Sequence, residues 1–347
     1  MDQLKLKMEK SQKKKIKKVV VAFSGGIDSS IVSLILKKKG FEVTAVFMRL
    51  TNATLMEKRA KSLAKEINIP FVVFDFRNDF KKIIIDYFIG EYKKGKTPNP
   101  CVLCNKEIKF GLFLKEALKM KPDFVSTGHY VRILKKDNLF HLYSPKDIKK
   151  DQSYFLWKLN QSQLKKIIFP LGDYEKEEIK EIAKKNKLSS FDFKESQETC
   201  FAKEANDIFL RKNIKNKKGD IVNKKGEILG VHDGIFFYTI GQRKGIGLSG
   251  GPYWVIDKNI KNNELIVSKK EKDLFKKEVI FKKSNWIIGL PNFPIRVKAK
   301  IRYGHKPAYG ILDKNKIIFD KVQKSITKGQ SIVFYKGKEM IGGGIIS

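Results

Sequence analysis

Between Lys18 and Thr127 the chain alternates between strand-like and helix-like spacing of its apolar residues. The runs VVVAF (19–23), EVTAVFM (42–48), FVVFD (71–75) and DFVST (123–127) are short and rich in β-branched and aromatic residues, so each predicts a buried strand. The stretches between them place apolar residues three and four apart, as with Ile31, Leu34 and Ile35. They predict helices over 28–39, 54–68, 79–93 and 105–120. Alternation at this spacing requires right-handed crossovers and a doubly wound parallel sheet with helices on both faces. Ligands of such sheets gather beyond the carboxyl ends of the strands. Here those ends carry Ser24–Ser30, Met48 and Gly128-His129-Tyr130, which are expected to converge on one crevice.

After Tyr130 the pattern changes. VRILKKDNLFHLY predicts a hairpin with a polar turn, and helices are expected near 161–168, 174–186 and 204–211. A lysine- and asparagine-rich linker covers 212–218. Beyond it the reading is mostly β. GDIVNKKGEILG is a hairpin, and RVKAKIRY, KIIFD and SIVFY alternate in a way that suits a small antiparallel barrel. The expected organisation is a basic arm (1–17), a catalytic domain (18–211), a small central domain (212–275) and a C-terminal β-barrel (276–347).

Composition narrows the setting. A chain of 347 residues, 41% hydrophobic, holds two or three domains with real cores. No apolar run approaches the roughly 18–20 residues of a membrane-spanning helix, and MDQLKLKMEKSQKKKIKK lacks the apolar stretch of a secretory signal. Three cysteines argue against a disulfide scaffold, so a reducing, cytoplasmic setting with no membrane partner is expected. The formal net charge of +36 attracts polyanions, nucleic acid first. Lysines outnumber arginines 65 to 8, and a solvated lysine surface attracts without recognising. Charge permits RNA binding but does not specify it.

The chemistry concentrates at VVVAFSGGIDSS. A glycine pair between a strand and a helix lets backbone N–H groups turn toward an anion at the helix N-terminus, and Ser24, Ser29 and Ser30 add hydroxyl donors. The pattern GxxxxGK[ST] is absent, which excludes the kinase and GTPase kind of phosphate loop. SGGxDS resembles instead the pyrophosphate loop of ATP pyrophosphatases, which split ATP into AMP and pyrophosphate. Magnesium is expected with the ATP.

Cys101 and Cys104 lie in TPNPCVLCNKEIKF, a proline-stiffened loop entering a helix, and Cys200 lies in ESQETCF. A thiol at a helix start has its thiolate favoured by the dipole, and Lys106 and Lys109 add positive potential, so Cys101 and Cys104 are candidates for a low pKa. Tetrahedral zinc wants four ligands, more than one CxxC and a lone cysteine supply. A dithiol redox pair would leave Cys200 idle, and buried inert cysteines are the third reading.

In order along the chain, TPNPCVLCNKEIKF, TGHY, KDQSYFL, FPLGDYEKEEI, the CF of ESQETCF, YTIGQRKGIGLSGGPYWV and GQSIVFYKGKEMIGGG resemble the tRNA-specific 2-thiouridylases, over nearly all of 18–347. The resemblance implies an adenine nucleotide α hydrolase-like catalytic domain. It also implies an activity: replacement of the C2 oxygen of the wobble uridine in tRNA by sulfur. Adenylation converts that oxygen into a leaving group, AMP, and a cysteine persulfide supplies the sulfur. By the same resemblance Cys200 bears the persulfide, while Cys104 releases the sulfur and closes a Cys104–Cys200 disulfide. Ala22, Phe23, Ser24, Gly25, Gly26, Ile27, Asp28, Ser29, Met48 and Gly128 match nucleotide contacts. Asn99, Pro100 and Cys101 match the segment touching the target base. His129, Lys150, Asp151, Gln152, Arg302, Tyr303 and Gln330 match positions facing tRNA. Such a pocket requires the uridine to flip out of the anticodon loop, and Gln152 has the amide to bind its edge. The implied partners are tRNA and a persulfide donor, a cysteine desulfurase or a relay protein.

The chain departs from the family pattern twice. Several members carry Asp where this chain has Cys101, which leaves the general acid/base open and gathers three cysteines. Three thiolates with one open iron would suit a [4Fe–4S] cluster held by Cys101, Cys104 and Cys200, the alternative to the persulfide relay. The segment RLTNATLMEKRA after Met48 is also shorter and less acidic than usual. Two rival functions remain at this point. An amide-forming synthetase or lysidine-type ligase shares SGGxDS but needs neither Cys104 nor Cys200. A non-catalytic RNA-binding protein would need neither Ser24, Asp28 nor the thiols.

Overall fold

The computed structural model describes residues 16–52, 54–192, 200–201 and 206–347. Nearly all of the expected basic arm, and ESQET of ESQETCF, therefore lie outside the described residues. Strands β1 (Lys18–Ala22), β2 (Glu42–Arg49), β3 (Phe71–Asp75) and β4 (Phe124–Ser126) form where the apolar runs predicted them. A hairpin follows, β5 (Arg132–Lys136) and β6 (Leu139–Tyr143), and then a two-residue strand, β7 (Ile167–Ile168). The first sheet is parallel throughout, in the order β3-β2-β1-β4-β7. Alternate residues of β1 serve its two faces. Val19 and Val21 pack with Ile31, Leu36, Leu63 and Ile179, while Val20 and Ala22 pack with Phe80, Ile84, Ile108 and Phe113. Burial on both faces is why β1 reads as an unbroken apolar run.

β7 corrects an expectation. The helix expected near 161–168 stops at Gln161–Leu164, and Ile167 and Ile168 pair with the open edge of β4. An edge of unpaired backbone groups inside a buried sheet must be satisfied, and two β-branched residues do so better than another helical turn.

The hairpin β5–β6 forms over the stretch that predicted it. It joins not the parallel sheet but the barrel, through pairing of Tyr143 and Leu142 with Glu339 and Met340. A small central sheet comprises β8 (Gly219–Val222), β9 (Ile228–His232), β10 (Trp254–Asn259) and β11 (Glu264–Ser268). The barrel strands are β12 (Phe275–Trp286), β13 (Ile295–Lys300), β14 (Ala308–Asp313), β15 (Lys316–Lys324), β16 (Ser331–Lys336) and β17 (Glu339–Ile346). They run antiparallel, and β12 pairs with β17 to close the barrel.

Residues 151–157 wedge the barrel against the catalytic segment. Tyr154 donates to the Ser331 carbonyl (2.8 Å), Trp157 Nε1 donates to Ser331 Oγ (3.1 Å), and Lys300 pairs with Asp151 (3.2 Å). Trp157, Tyr154 and Leu156 share one apolar core with Val102 and Phe110 on one side and Val333, Tyr335 and Met340 on the other.

Candidate active site

β1 delivers the chain to the glycine turn, where Phe23 N still donates to Val46 O (2.8 Å). Gly25 then adopts φ +77°, and helix Ile27–Lys38 begins after Gly26. No side chain caps this helix, so its first N–H groups remain available to an anion. The hydroxyls brace the turn: Ser24 and Ser29 lie 3.3 Å apart, and Ser29 and Ser30 both donate to the Gly26 carbonyl at 3.0 Å. Asp28, in the first turn, accepts from Tyr130 OH (2.8 Å) and from the buried Lys176 ammonium (2.6 Å). Lys176 offsets a carboxylate that would otherwise repel phosphate. It stands inside FPLGDYEKEEI, but nothing in sequence separates it from the other lysines.

Gly128 follows β4 and lies against the helix start. A Cβ there would approach Asp28 Cβ to 3.1 Å and Ser29 N to 3.3 Å, which is why this position is glycine. Met48, the last residue but one of β2, is half-buried and pairs with Phe74 of β3. The unusual segment after Met48 is locked by charge: Arg49 pairs with Glu57 (2.7 Å) and Asp75 (3.3 Å), and Arg77 with Asp75 (2.7 Å). The Arg77 guanidinium holds the Asp75 carboxyl down at about 2. Among the described residues no group of three or more His, Cys, Asp or Glu is set to hold a metal ion. The carboxylates here are committed to Lys176 and the arginines, so the residues present form no ready magnesium site. Among the described residues the cysteines likewise form no metal-holding set.

The thiol helix starts earlier than its apolar spacing predicted. Asn99 caps it by accepting from Val102 N, Pro100 occupies the first turn, and the stretch Cys104–Leu112 is π-helical. Cys104 is buried, Cys101 and Cys200 are exposed, and all three are free thiols. The Cys104–Cys200 bridge implied by the resemblance is therefore open. Cys200 is held by its neighbour Phe201, whose ring meets Phe88 (5.3 Å), Phe209 (5.4 Å) and Phe80 (5.9 Å) edge-on. The three thiols are close enough for Cys104 to feel the charge of both others.

The low thiol pKa values expected from the helix start are not found. Desolvation by the surrounding protein raises all three thiols, even where part of the Cys101 and Cys200 side chains reaches solvent, and pushes the buried Cys104 up to about 12, although Lys109 opposes the shift at each. Desolvation of a thiolate outweighs one helix dipole and one ammonium. Cys104 is therefore a protonated thiol near neutrality. Its alkylation by iodoacetamide in the free protein should rise about tenfold per pH unit from about pH 7 to about pH 9, without a plateau. Peptide mass spectrometry checks this, and a plateau near pH 8 would show that burial does not govern the thiol.

The residues expected to face tRNA separate into two groups. His129 is buried, with its ring between Phe110 (5.8 Å) and Phe169 (5.9 Å) and its Nδ1 2.6 Å from Thr127 Oγ1. Burial holds it well below the usual histidine range, so it is neutral. Asp151 is also buried, binding Ser153 Oγ (2.6 Å), Ser144 Oγ (3.1 Å) and Lys300. Gln330 donates to the Thr97 carbonyl (2.9 Å) and so fixes the loop leading to Asn99 and Pro100. Gln152 accepts from Tyr130 N (2.9 Å). His129 and Asp151 are thus buried, whereas Gln152 and Gln330 stay half-exposed while holding the backbone around the site. Arg302 and Tyr303 are exposed, and Lys150 is half-exposed. Tyr303 packs tilted on Phe155 (4.4 Å), and its phenol is raised mainly by burial, with the Asp151 and Cys101 charges adding to the shift. The barrel thus brings an aromatic face beside Cys101.

The uncapped Gly-Gly turn, the doubly wound sheet and the missing Walker lysine define a nucleotide-binding fold of the ATP pyrophosphatase type. Family models agree along the chain: a tRNA methyl transferase HUP domain matches 17–204, its PRC-barrel domain 207–269, and an aminomethyltransferase β-barrel domain 276–346. The tRNA-specific 2-thiouridylase MnmA of Clostridioides difficile is 45% identical, over 95% of this chain and 98% of that protein. MnmA 2 of Clostridium tetani is 43% identical over 95% and 98%, and MnmA of Syntrophomonas wolfei 43% over 95% and 99%. The chain belongs to the tRNA-specific 2-thiouridylase family. No helix among the described residues is long and apolar enough to cross a membrane.

Proposed function

We propose that this protein replaces the C2 oxygen of the wobble uridine of tRNA with sulfur, at the expense of ATP. One observation supports the reading most: the loop after β4 touches both chemistries. Gly128 and Tyr130 contact the pyrophosphate turn at Asp28, and His129 between them packs on Phe110 of the thiol helix. A base in this crevice meets ATP on one side and sulfur on the other.

ATP lies with its phosphates at the start of helix Ile27–Lys38, and magnesium enters with them rather than in a protein cage. The flipped uridine passes the segment Asn99–Cys101, with Tyr303 and Phe155 as a stacking face. Its O2 attacks the α-phosphate and pyrophosphate leaves. The terminal sulfur of a Cys200 persulfide attacks C2, and AMP departs with the oxygen. The Cys104 thiolate then attacks the Cys200 sulfur. The S–S bond to the transferred sulfur breaks, its electron pair stays with the thiouridine, and a Cys104–Cys200 disulfide forms. A dithiol reductant reopens the disulfide, and a persulfide donor, a cysteine desulfurase or relay protein, recharges Cys200. Cys101 is a protonated thiol at neutral pH, better suited to donating a proton than to taking one.

The test combines the protein, ATP, a persulfide source and tRNA, and reads 2-thiouridine in nucleoside digests alongside AMP. One AMP per 2-thiouridine is expected, and AMP formed without tRNA or without sulfur incorporation would overturn the reading. Protein purified without oxygen should carry no iron; iron near four per chain would favour the cluster held by Cys101, Cys104 and Cys200.

A further inference from the structure

We propose that Lys109 is, among the described residues, the cation shared by all three thiols, brought to the face of Cys104 by the π-helical stretch, and that it favours their ionised forms during sulfur transfer. In an α-helix a residue five positions on points about 140° away from the first. In a π-helix, with a turn of roughly 4.4 residues, it returns to within about 50°. Cys104–Leu112 is π-helical over its whole length, so Lys109 comes back to the face of Cys104. The wide turn brings the Lys106 carbonyl within 2.9 Å of where a Cβ on residue 111 would sit, and that residue is Gly111. Lys106, expected to help the thiols equally, instead pairs with Glu107 (3.0 Å) and faces Lys158.

The groups around Lys109 come from four elements. Cys101 and Cys104 lie on its own helix, Cys200 on the turn anchored by Phe201, and neutral His129 on the loop after β4. Tyr303 of the barrel faces Cys101. Among the described residues no carboxylate pairs with Lys109, so its charge is not spent on an ion pair. Desolvated thiols need such a charge. In the transfer step Cys104 must first lose its proton, and the negative charge then passes from Cys104 to the departing sulfur; an ammonium beside both sulfurs lowers the energy of each state. That catalytic consequence rests on the thiolation reading, whereas the shared cation does not.

The experiment therefore omits ATP and tRNA. Iodoacetamide alkylation of the three cysteines is followed by peptide mass spectrometry against pH in the full chain, for Lys109→Gln, Lys109→Arg and Lys106→Gln. Lys109→Gln should slow modification of all three thiols about three- to tenfold at each pH, a shift of their ionisation to higher pH. Lys109→Arg should stay within about twofold of the parent, and Lys106→Gln should match it. If Lys109→Gln does not yield folded protein, Lys109→Met carries the same readout. Parent-like rates in the neutral variants, or equal slowing by Lys106→Gln, would overturn the proposal. Loss of thiolation activity alone would not bear on it.

Discussion

Cys200→Ser should abolish 2-thiouridine formation, by at least about 10³-fold, because removal of a covalent nucleophile leaves no other route for the transferred atom. tRNA binding should persist, since Cys200 is held by its neighbour: Phe201 keeps its contacts with Phe80, Phe88 and Phe209. Cys104→Ser should separate the two thiols. Its Cys200 persulfide still attacks the adenylated base, but nothing releases the sulfur, so tRNA should accumulate as a reducible adduct on Cys200. Gel electrophoresis with and without dithiothreitol shows the adduct. Normal thiolation by Cys200→Ser would remove that residue from the mechanism.

Gly25→Ala should disable ATP cleavage while Gly26→Ala largely spares it. Gly25 sits at φ +77°, and a Cβ there would lie 2.9 Å from Ala60 Cα and 3.0 Å from Ala60 N. Both obstacles are backbone of helix Thr54–Ile67, so the turn itself must move. Left-handed backbone costs a non-glycine residue about 1–3 kcal/mol. Displacement of the anion-binding N–H groups should lower tRNA-dependent AMP formation about 100-fold or more. Gly26 has φ −88° and meets nothing nearer than Ser24 Oγ at 3.6 Å, so Gly26→Ala should change the rate by no more than about threefold. Equal tolerance at both positions would show that the turn's shape does not govern ATP use.

Four strands of the parallel sheet and the place of its glycine turn were legible because strand runs, glycine turn and helix spacing all point the same way. β7 was not, because two isoleucines after a helical turn carry no period; the vacant edge of β4 decides their state. The hairpin β5–β6 was legible as a hairpin, but its docking on β17 is a long-range pairing that no local spacing encodes. At the site, the glycines, serines and cysteines stood out by type. Lys176 did not, since 65 lysines hide any one of them, and nothing in the sequence separated Lys109 from Lys106 beside the thiols. The π-helical stretch was invisible, because apolar spacing is compatible with either turn until packing selects one. Burial also reversed the expectation for the thiols, and a sequence cannot report how much water a side chain loses.

The barrel cannot be treated as an exchangeable cassette. Its wall is continued by residues 132–143, and its seam is filled by 151–157, both encoded more than a hundred residues upstream of β12. A chimera joined at the linker near 212 would give the grafted barrel a foreign hairpin and a foreign wedge, together with the Ser331 and Lys300 contacts they require. Successful grafting between relatives should demand that these two upstream stretches travel with the barrel.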